Sequence, residues 1–336
     1  MHHRALAEAR QAQLTKPAGS LGRLEQLAVD LAALQHTETP HVDRSPIIIF
    51  AGDHGVTAQG VSAFPSEVTV QMLANFVGGG AAIAVLAREL GQALMLVDVG
   101  TLAAEPVPGV LTDKPRRGTR DFSLEAALEP GELAHALGCG QRVVQRIHDG
   151  SDILLLGEMG IGNTTCAAAI VCALTGGDPA VIAGGGTGLD DAGRRRKAEV
   201  IAGALRLHGL ADGLGAPDKV LCAVGGLEVA ALAGAIIASA QNGLPVLIDG
   251  FIVSAAALAA VRINPSCRPW LIFSHRSAEQ GHRAVLDALD AAPLLDLNLR
   301  LGEGSGAALA LPLVRMACAL HNGMATFAEA AVSKRG

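Results

Sequence analysis

The sequence predicts an α/β protein whose parallel sheet is covered by helices on both faces. Short apolar runs recur along the chain, they end in glycine or acidic turns, and helical segments separate them. Continuous apolar strands joined by helices are typical of a parallel sheet that is buried on both sides. The seven runs expected to form strands are 47–51, 94–99, 153–156, 181–183, 220–224, 246–248 and 270–273.

The two ends of the chain lie outside this alternation. Residues 4–35 are expected to form helices interrupted at 16–20, and residues 309–332 a helix with Pro312 near its start. We therefore predict a large α/β domain over residues 36–304. Residues 1–35 and 305–336 are expected to pack together as a small helical domain.

The composition argues against nucleic acid as a binding partner. The 336 residues are 50% hydrophobic but only 2% aromatic, and the net charge is −6. Few aromatic faces and a negative charge disfavour nucleic acid. The six cysteines form no metal-type pair, and the first residues contain no apolar signal core. We expect a cytoplasmic protein with reduced thiols.

A membrane span is not expected. The longest apolar segment, 220–240, is interrupted by Gly225, Gly226 and Glu228. It is better explained as a strand, a turn and a buried helix.

The stretch 151–174, SDILLLGEMGIGNTTCAAAIVCAL, is central to the functional prediction. Its pattern is a strand, a glycine-rich loop and a helix that begins near Thr164. Backbone N–H groups at such a helix start, with the hydroxyls of Thr164 and Thr165, could hold one phosphate. Asn163 stands where nucleotide triphosphatases have lysine, which argues against a triphosphate with magnesium. We expect a monophosphate site that contains an acid, Glu158; a turn that only packs tightly is the alternative.

Glu303 is a second candidate. It lies between Gly302 and Gly304, and glycines on both sides allow backbone and ligand to approach closely. A partly desolvated carboxylate there would have the raised pKa that a general base needs. A solvent-exposed turn glutamate is the equally weighted alternative.

Two further segments contain candidates whose simpler explanations are structural. Asp53 and His54 end a strand and could bind a sugar or orient a loop. Phe64, Pro65, Gln71 and Met72 could form an apolar slot for a flat ring, although single members of such a set are more often core.

Lys197, on a helix after the glycine turn at 184–188, could reach a phosphate, although a solvated lysine is the more common case. The GxGxxG spacing fails in both glycine-rich turns, so a dinucleotide-binding dehydrogenase is only weakly supported.

Taken together, these blocks resemble the nicotinate-nucleotide–dimethylbenzimidazole phosphoribosyltransferase family. The similarity runs in one order from about residue 15 to residue 330, and the chain departs from it at Gly185, where many relatives have arginine. The motifs in question are KPAGSLGRLEQLA, AGDHGV-x-A-x-GVSAFP, NF-x-x-GGAAI, LLLGEMGIGNTT, GTGLDDAG and LRLGEGSGAALALPL.

The resemblance implies a Rossmann-like large domain, a homodimer, no metal or redox cofactor, and the substrates nicotinate mononucleotide and 5,6-dimethylbenzimidazole. It implies that Glu303 is the general base. Another aromatic acceptor, or a non-catalytic nucleotide-binding protein, stays open as an alternative. The implied phosphate and ribose contacts are Glu158, Gly160, Ile161, Gly162, Asn163, Thr164, Thr165 and Lys197. The expected acceptor contacts are Phe64, Pro65, Ser66, Gln71 and Met72.

Overall fold

The computed structural model describes residues 2–186 and 188–333. Its strands are β1 (Ile47–Gly52), β2 (Leu94–Gly100), β3 (Leu111–Thr112), β4 (Leu154–Met159), β5 (Val246–Ile248) and β6 (Leu271–Phe273). They form one sheet in the order β3–β2–β1–β4–β5–β6, and every neighbouring pair is parallel. The predicted fold class is therefore confirmed.

Helices cover both faces of the sheet, and two short 3₁₀ helices lie at Gly55–Gln59 and Pro265–Trp270. The α-helices in the described part of the chain are α1 (His2–Gln11), α2 (Arg23–Leu34), α3 (Glu67–Val77), α4 (Ala82–Leu90), α5 (Pro130–Ile147), α6 (Asn163–Thr175), α7 (Pro179–Ile182), α8 (Asp191–Leu207), α9 (Pro217–Val224), α10 (Leu227–Gln241), α11 (Phe251–Ile263), α12 (His282–Ala288) and α13 (Ser305–Gly323).

Two of the seven predicted strands are wrong. Residues 181–183 overlap helix α7, and residues 220–224 lie within helix α9. Both helices begin with a proline, Pro179 and Pro217, whose fixed φ suits the first helical position. A short apolar run has no period that separates a strand from a buried helix, so the prolines were the better signal.

The order of the strands places a ligand site. The chain builds outward from β1 to β2 and β3 on one side, and then from β4 to β5 and β6 on the other. Parallel sheets of this order bind ligands where the direction reverses, beyond the carboxyl ends of the central strands. In this sheet that point lies between β1 and β4.

Helices from the two ends of the chain pack together. Helix α2 contacts α1 and α13, and the buried faces of α2 and α13 share one apolar core with the sheet residues Ile49 and Leu155. The last long helix begins at Ser305 and ends at Gly323, earlier at both ends than the predicted 309–332. The domain boundaries at residues 35 and 304 stay predictions.

Residues 67–90 are long and apolar enough to cross a membrane, judged by length and composition only. In the structure this stretch comprises α3 and α4, which are separated by a turn at residues 78–80. The expectation that the chain has no membrane span stays a prediction.

Candidate active site

A cavity of about 720 Å³ opens beyond the carboxyl ends of β4, β5 and β6. Its size suits a nucleotide with an aromatic base. Segments from α3, the β4–α6 loop, the ends of β5 and β6, and residues 298–303 form its wall. The polar or charged side chains that line it are Glu158, Asn163, Thr164, Asp249, His275, Ser277, Glu279, Asn298, Arg300 and Glu303.

The β4–α6 loop has the geometry of the predicted phosphate site. Gly162 has a left-handed φ of 96°, and Gly160 packs directly on the carbonyl of Gly52, where a side chain has no room. Ile161 lines the cavity and donates its N–H to Thr69 Oγ1 at 3.1 Å. These contacts fix the loop so that its helix end faces the cavity.

The first turn of α6 leaves one donor free. Asn163 N–H donates to Gly160 O at 3.1 Å, and Thr165 N–H donates to Gly162 O at 3.0 Å. Thr164 N–H has no acceptor within residues 2–186 and 188–333. A free N–H at a helix N-terminus attracts an anion.

Of the two predicted threonines, only Thr164 lines the cavity. Thr165 is fully buried, and its hydroxyl has no hydrogen-bond partner among the described residues. Successive helical residues point about 100° apart, and only the side chain of Thr164 faces the cavity. The structure does not support a direct contact between Thr165 and a ligand in this cavity.

Lys197 is fully buried, so the solvated alternative is wrong. Its Nζ donates to Thr164 Oγ1 at 2.7 Å and to Gly184 O at 3.4 Å. Burial lowers the pKa of Lys197 to about 8, although Glu279 acts in the opposite direction. This places a cation directly behind the free end of α6.

The glycine turn beside Lys197 is tight at Gly186 and open at Gly185. A Cβ at Gly186 would lie 2.8 Å from Thr164 Oγ1, whereas at Gly185 its nearest neighbour would be Leu189 O at 3.5 Å. A Cβ at Gly185 would therefore fit sterically. Thr187 of the same turn lies outside the described residues.

Glu158 lies near the end of β4 and is buried. Burial, and then the negative charges of Asp249 and Glu228, raise its pKa to about 8. The side-chain amide of Asn163 donates to Glu158 Oε2, and a backbone hydrogen bond from Glu303 also favours the ionised form. Asn163 therefore links the acid to the start of α6.

Glu303 is also buried, with 7% of its surface exposed, so the alternative of an exposed turn residue is wrong. Its φ is 62°, which is unusual for a residue other than glycine. Glu303 Oε2 accepts a hydrogen bond from Ile83 N–H at 3.4 Å. Burial raises the pKa of this carboxyl, and Asp249 raises it further, as a proton acceptor requires.

The missing side chain of Gly157 allows the backbone of the Glu303 turn to pack against β4. A Cβ at Gly157 would lie 2.6 Å from Gly304 N and 2.7 Å from the carbonyl carbon of Glu303. Gly302 likewise packs against the carboxylate of Glu158. Two glycine-rich turns, far apart in sequence, thus close on each other in one cavity.

The sequence predicted that Asp249 and His275 lie at the ligand-binding edge of the sheet, although it gave neither residue a role. Asp249 follows β5, His275 follows β6, and both line the cavity. The ring Nδ1 of His275 lies 3.7 Å from Asp249 Oδ1. Their position after short apolar strands was the available signal, because such strand ends meet at the ligand-binding edge of a parallel sheet.

The predicted acceptor slot is only partly formed by the predicted residues. Phe64, Val68 and Met72 line the cavity, and Val68 was missed. Gln71 is exposed and outside the lining. Met72 lies one helical turn after Val68 on α3, and the side chain of Gln71 points about 100° away from that of Met72, towards solvent. Pro65 is exposed, and Ser66 Oγ lies 3.1 Å from Thr57 Oγ1, so neither lines the cavity.

Asp53 and His54 lie outside the cavity lining, and their side chains contact neighbouring segments of the protein instead. His54 Nε2 lies 2.7 Å from Glu228 Oε1, and both side chains are fully buried. Asp53 Oδ2 accepts a hydrogen bond from Leu102 N–H at 2.8 Å. Of the two roles considered for this pair, the structure favours orienting a loop.

Comparison with known proteins places this geometry in a family. A family model described as phosphoribosyltransferase matches residues 1–332. The chain is 65% identical over 334 residues to a nicotinate-nucleotide–dimethylbenzimidazole phosphoribosyltransferase of Bradyrhizobium sp. strain BTAi1, covering 99% of this chain and 95% of the relative. It is 57% identical over 336 residues to the Pseudomonas aeruginosa protein of the same name, with coverages of 99% and 95%.

Two solved structures share the fold over almost the whole chain. A crystal structure of the Thermus thermophilus phosphoribosyltransferase of that name has a TM-score of 0.93 and 45% identity, and covers 99% of each chain. A crystal structure described as CobT from the same organism has a TM-score of 0.95 and 45% identity, and covers 100% of each chain.

Proposed function

Because the chain belongs to the nicotinate-nucleotide–dimethylbenzimidazole phosphoribosyltransferase family, we propose that it transfers the 5-phosphoribosyl group of nicotinate mononucleotide to 5,6-dimethylbenzimidazole. The products are nicotinate and α-ribazole 5′-phosphate, which supplies the lower ligand of cobalamin. One observation supports this reaction most directly. A helix N-terminus with a free donor, backed by Lys197, and a buried, raised-pKa carboxylate at Glu303 line the same cavity.

The donor phosphate is held at the start of α6. Thr164 supplies a free N–H and a hydroxyl that Lys197 already contacts. The partial positive charge of the helix end and the lysine cation both favour a monophosphate. The buried carboxyl group of Glu158 lies on the same wall and, in its ionised form, favours the positive charge of the donor's pyridinium ring.

The chemical step needs one base and no acid. The bond between the anomeric carbon and the pyridinium nitrogen breaks, and its electron pair stays on the ring, so nicotinate leaves with a neutral nitrogen. One nitrogen of dimethylbenzimidazole attacks the opposite face of the anomeric carbon, which converts the β donor into the α product. The proton on the acceptor's other nitrogen passes to Glu303. A positioned base of this kind contributes roughly 10²–10⁴-fold.

Holding both substrates in line supplies the larger share of the acceleration, on the order of 7–11 kcal/mol. The apolar wall of Phe64, Val68 and Met72 is suited to a flat aromatic acceptor. The same cavity then orders the donor through its phosphate and the acceptor through its ring.

We also propose that two copies associate and that the protein works in the cytoplasm without nucleic acid or membrane. Apolar side chains exposed on neighbouring helices support the association. Leu309 and Met316 lie two turns apart on α13, and Val85 lies on α4, which packs beside α13. Their exposed fractions are 38%, 54% and 37%. Light scattering of the purified protein tests the dimer.

The test of the reaction is incubation with nicotinate mononucleotide and dimethylbenzimidazole, followed by mass spectrometry of the ribosylated ring. Product with purines or phenols but not with dimethylbenzimidazole would reassign the acceptor. A thermal shift with nicotinate mononucleotide, but no product with any acceptor, would favour a non-catalytic nucleotide-binding protein.

A further inference from the structure

Asp249 joins the end of β5 to the turn that contains Glu303. It follows β5 directly and is 1% exposed. Asp249 Oδ2 accepts a hydrogen bond from Gly304 N–H at 3.2 Å, and Oδ1 accepts one from Ala307 N–H at 3.0 Å. A further backbone hydrogen bond comes from Gly306. A single carboxylate therefore takes up the free donors at the start of α13.

From these contacts we propose that Asp249 is a positioning residue that holds the Glu303 turn against the sheet and keeps Glu303 a strong proton acceptor. The proposal rests on the proposed function, in which Glu303 removes the acceptor's proton. It adds a residue that acts through Glu303 rather than on the substrates.

The geometry supports the positioning role. Gly304 is covalently next to Glu303, so a hydrogen bond on Gly304 N–H limits the movement of Glu303. The turn has left-handed φ values at Gly302, Glu303 and Gly304 of 83°, 62° and 80°. A non-glycine residue persists in this conformation only where its surroundings enforce it. Asp249 and the close approach of Gly157 provide that constraint from two sides.

The charge of Asp249 supports its second proposed role, which is to keep Glu303 a strong proton acceptor. The titratable groups that interact with Asp249, besides Glu303, are Glu158 on β4 and His275 after β6, and Glu228 on α10 in turn acts on Glu158. Burial and then the charge of Asp249 raise the pKa values of Glu158 and Glu303. Burial also raises the pKa of Asp249 itself, while His275 and the backbone N–H groups favour its ionised form. Removing the charge of Asp249 should therefore lower the pKa of Glu303.

The test is Asp249→Asn, which keeps the size of the side chain but replaces one accepting oxygen with an NH₂ group. A displaced base should lower kcat/KM for the acceptor about 100-fold, with the Kd of nicotinate mononucleotide nearly unchanged. Activity needs ionised Glu303, so a lower pKa moves the acidic limb of the pH profile to lower pH. A merely structural role would lower the plateau and leave the limb in place.

Because Glu158 titrates in the same cavity, the limb is compared between Glu158→Gln and the Glu158→Gln/Asp249→Asn double variant. A shift that persists without Glu158 supports the proposal. A limb that does not move, or a kcat/KM that Asp249→Asn leaves intact, overturns it. If Asp249→Asn does not fold, Asp249→Glu serves instead. Its charge is retained and its carboxylate displaced, so activity should fall and amide exchange in residues 302–310 should become faster; intact activity or unchanged exchange would overturn the proposal.

Asp98→Asn is the matched control. Asp98 is also a fully buried aspartate that accepts from backbone N–H groups, those of Gly100 at 3.1 Å and Thr101 at 2.7 Å. It lies within β2, pairs with Lys114 at 2.7 Å and does not line the cavity. Its substitution should leave the acidic limb unchanged.

Hydrogen exchange separates this proposal from the proposed function. Asp249→Asn should speed amide exchange in residues 302–310, whereas Asp98→Asn should do so only near residues 100–103. Unchanged exchange at 302–310 in Asp249→Asn overturns the anchoring, whatever the reaction. Faster exchange together with no product from the wild-type protein would leave the anchoring supported and reject the proposed function.

Discussion

The starts of α6 and α13 have similar sequences but differ in whether their backbone N–H groups have acceptors. Each follows a glycine turn that contains or closely follows a glutamate, and each faces the cavity. At α6 the N–H of Thr164 has no acceptor among the described residues. At α13 the N–H groups of Gly304 and Ala307 both donate to Asp249.

This difference separates binding from catalysis. A helix end with free donors attracts an anionic ligand, whereas a helix end already neutralised by a carboxylate has no such attraction. By accepting the hydrogen bonds of its N–H groups, Asp249 prevents the start of α13 from binding an anion and fixes the position of the Glu303 turn. If this assignment is correct, variants at the two ends should change different kinetic constants.

The largest expected effect is that of Glu303→Gln. Glutamine keeps the shape of the side chain but cannot accept the proton, so kcat should fall about 10²–10⁴-fold, while donor affinity stays near that of the wild type. Product formation by mass spectrometry and nicotinate mononucleotide binding by calorimetry measure the two quantities. Glu199→Gln, on the exposed side of α8, is the control. Near-normal turnover would show that Glu303 is not the base, and the proposed division between binding at α6 and catalysis at α13 would be wrong.

Lys197→Met should weaken donor binding more than it lowers kcat. Loss of a charged hydrogen-bonding partner should raise the donor Kd about 10–100-fold, with less change in kcat. With a pKa of about 8 in the donor-free protein, Lys197 is charged at lower pH and loses its proton above it, so donor binding weakens as the pH rises through that value. Glu158 has a pKa of about 8 too and gains negative charge over the same range.

Calorimetry across this pH range, repeated in Glu158→Gln, separates the two titrations. The dependence that remains in Glu158→Gln belongs to Lys197 and should vanish when Lys197→Met is added. A donor Kd that Lys197→Met leaves unchanged would contradict an anion site at α6.

Met72→Ala should affect neither helix end. Removing part of the apolar wall should raise the acceptor KM about tenfold, with no change in donor Kd. Gln71→Ala is the matched control, since Gln71 lies one position earlier on α3 and outside the cavity lining. An equal effect of Gln71→Ala would restore the sequence-based prediction that Gln71 contacts the acceptor.

Arg300→Gln should have the smallest effect. Arg300 is the only lysine or arginine among the described residues that line the cavity, and it is exposed. We expect it to face the carboxylate of the nicotinate ring. Its loss should raise the donor KM about fivefold, and nicotinamide mononucleotide, which lacks that carboxylate, should show no such increase.

Arg276→Gln is the control, because Arg276 is exposed and faces Asp296 at 3.8 Å. If Arg300→Gln raised the KM of nicotinamide mononucleotide by the same factor, Arg300 would instead lie near the phosphate. The start of α6 would then not be the only contributor to phosphate binding.

Much of the fold was predictable because its signals are local. Apolar runs separated by helices predicted the parallel sheet, and five of the seven runs form its strands. Runs 181–183 and 220–224 failed because each lies in a short helix that a proline begins. For the site, the sequence predicted Glu158, Thr164 and Glu303, whose glycine-rich turns are local too. It missed Val68 and Arg300, whose neighbours in sequence have no unusual pattern.

The sequence by itself determined the strand, loop and helix start at 154–175 and the flexible glycines around Glu303, because backbone conformation depends on neighbouring residues. Only the tertiary structure decided which groups meet. Lys197 reaches Thr164 across 33 residues, Asp249 reaches Gly304 across 55, and Ile83 reaches Glu303 across 220. The raised pKa values of Glu158 and Glu303 follow from that assembly, because burial and nearby charge exist only once distant segments have packed together.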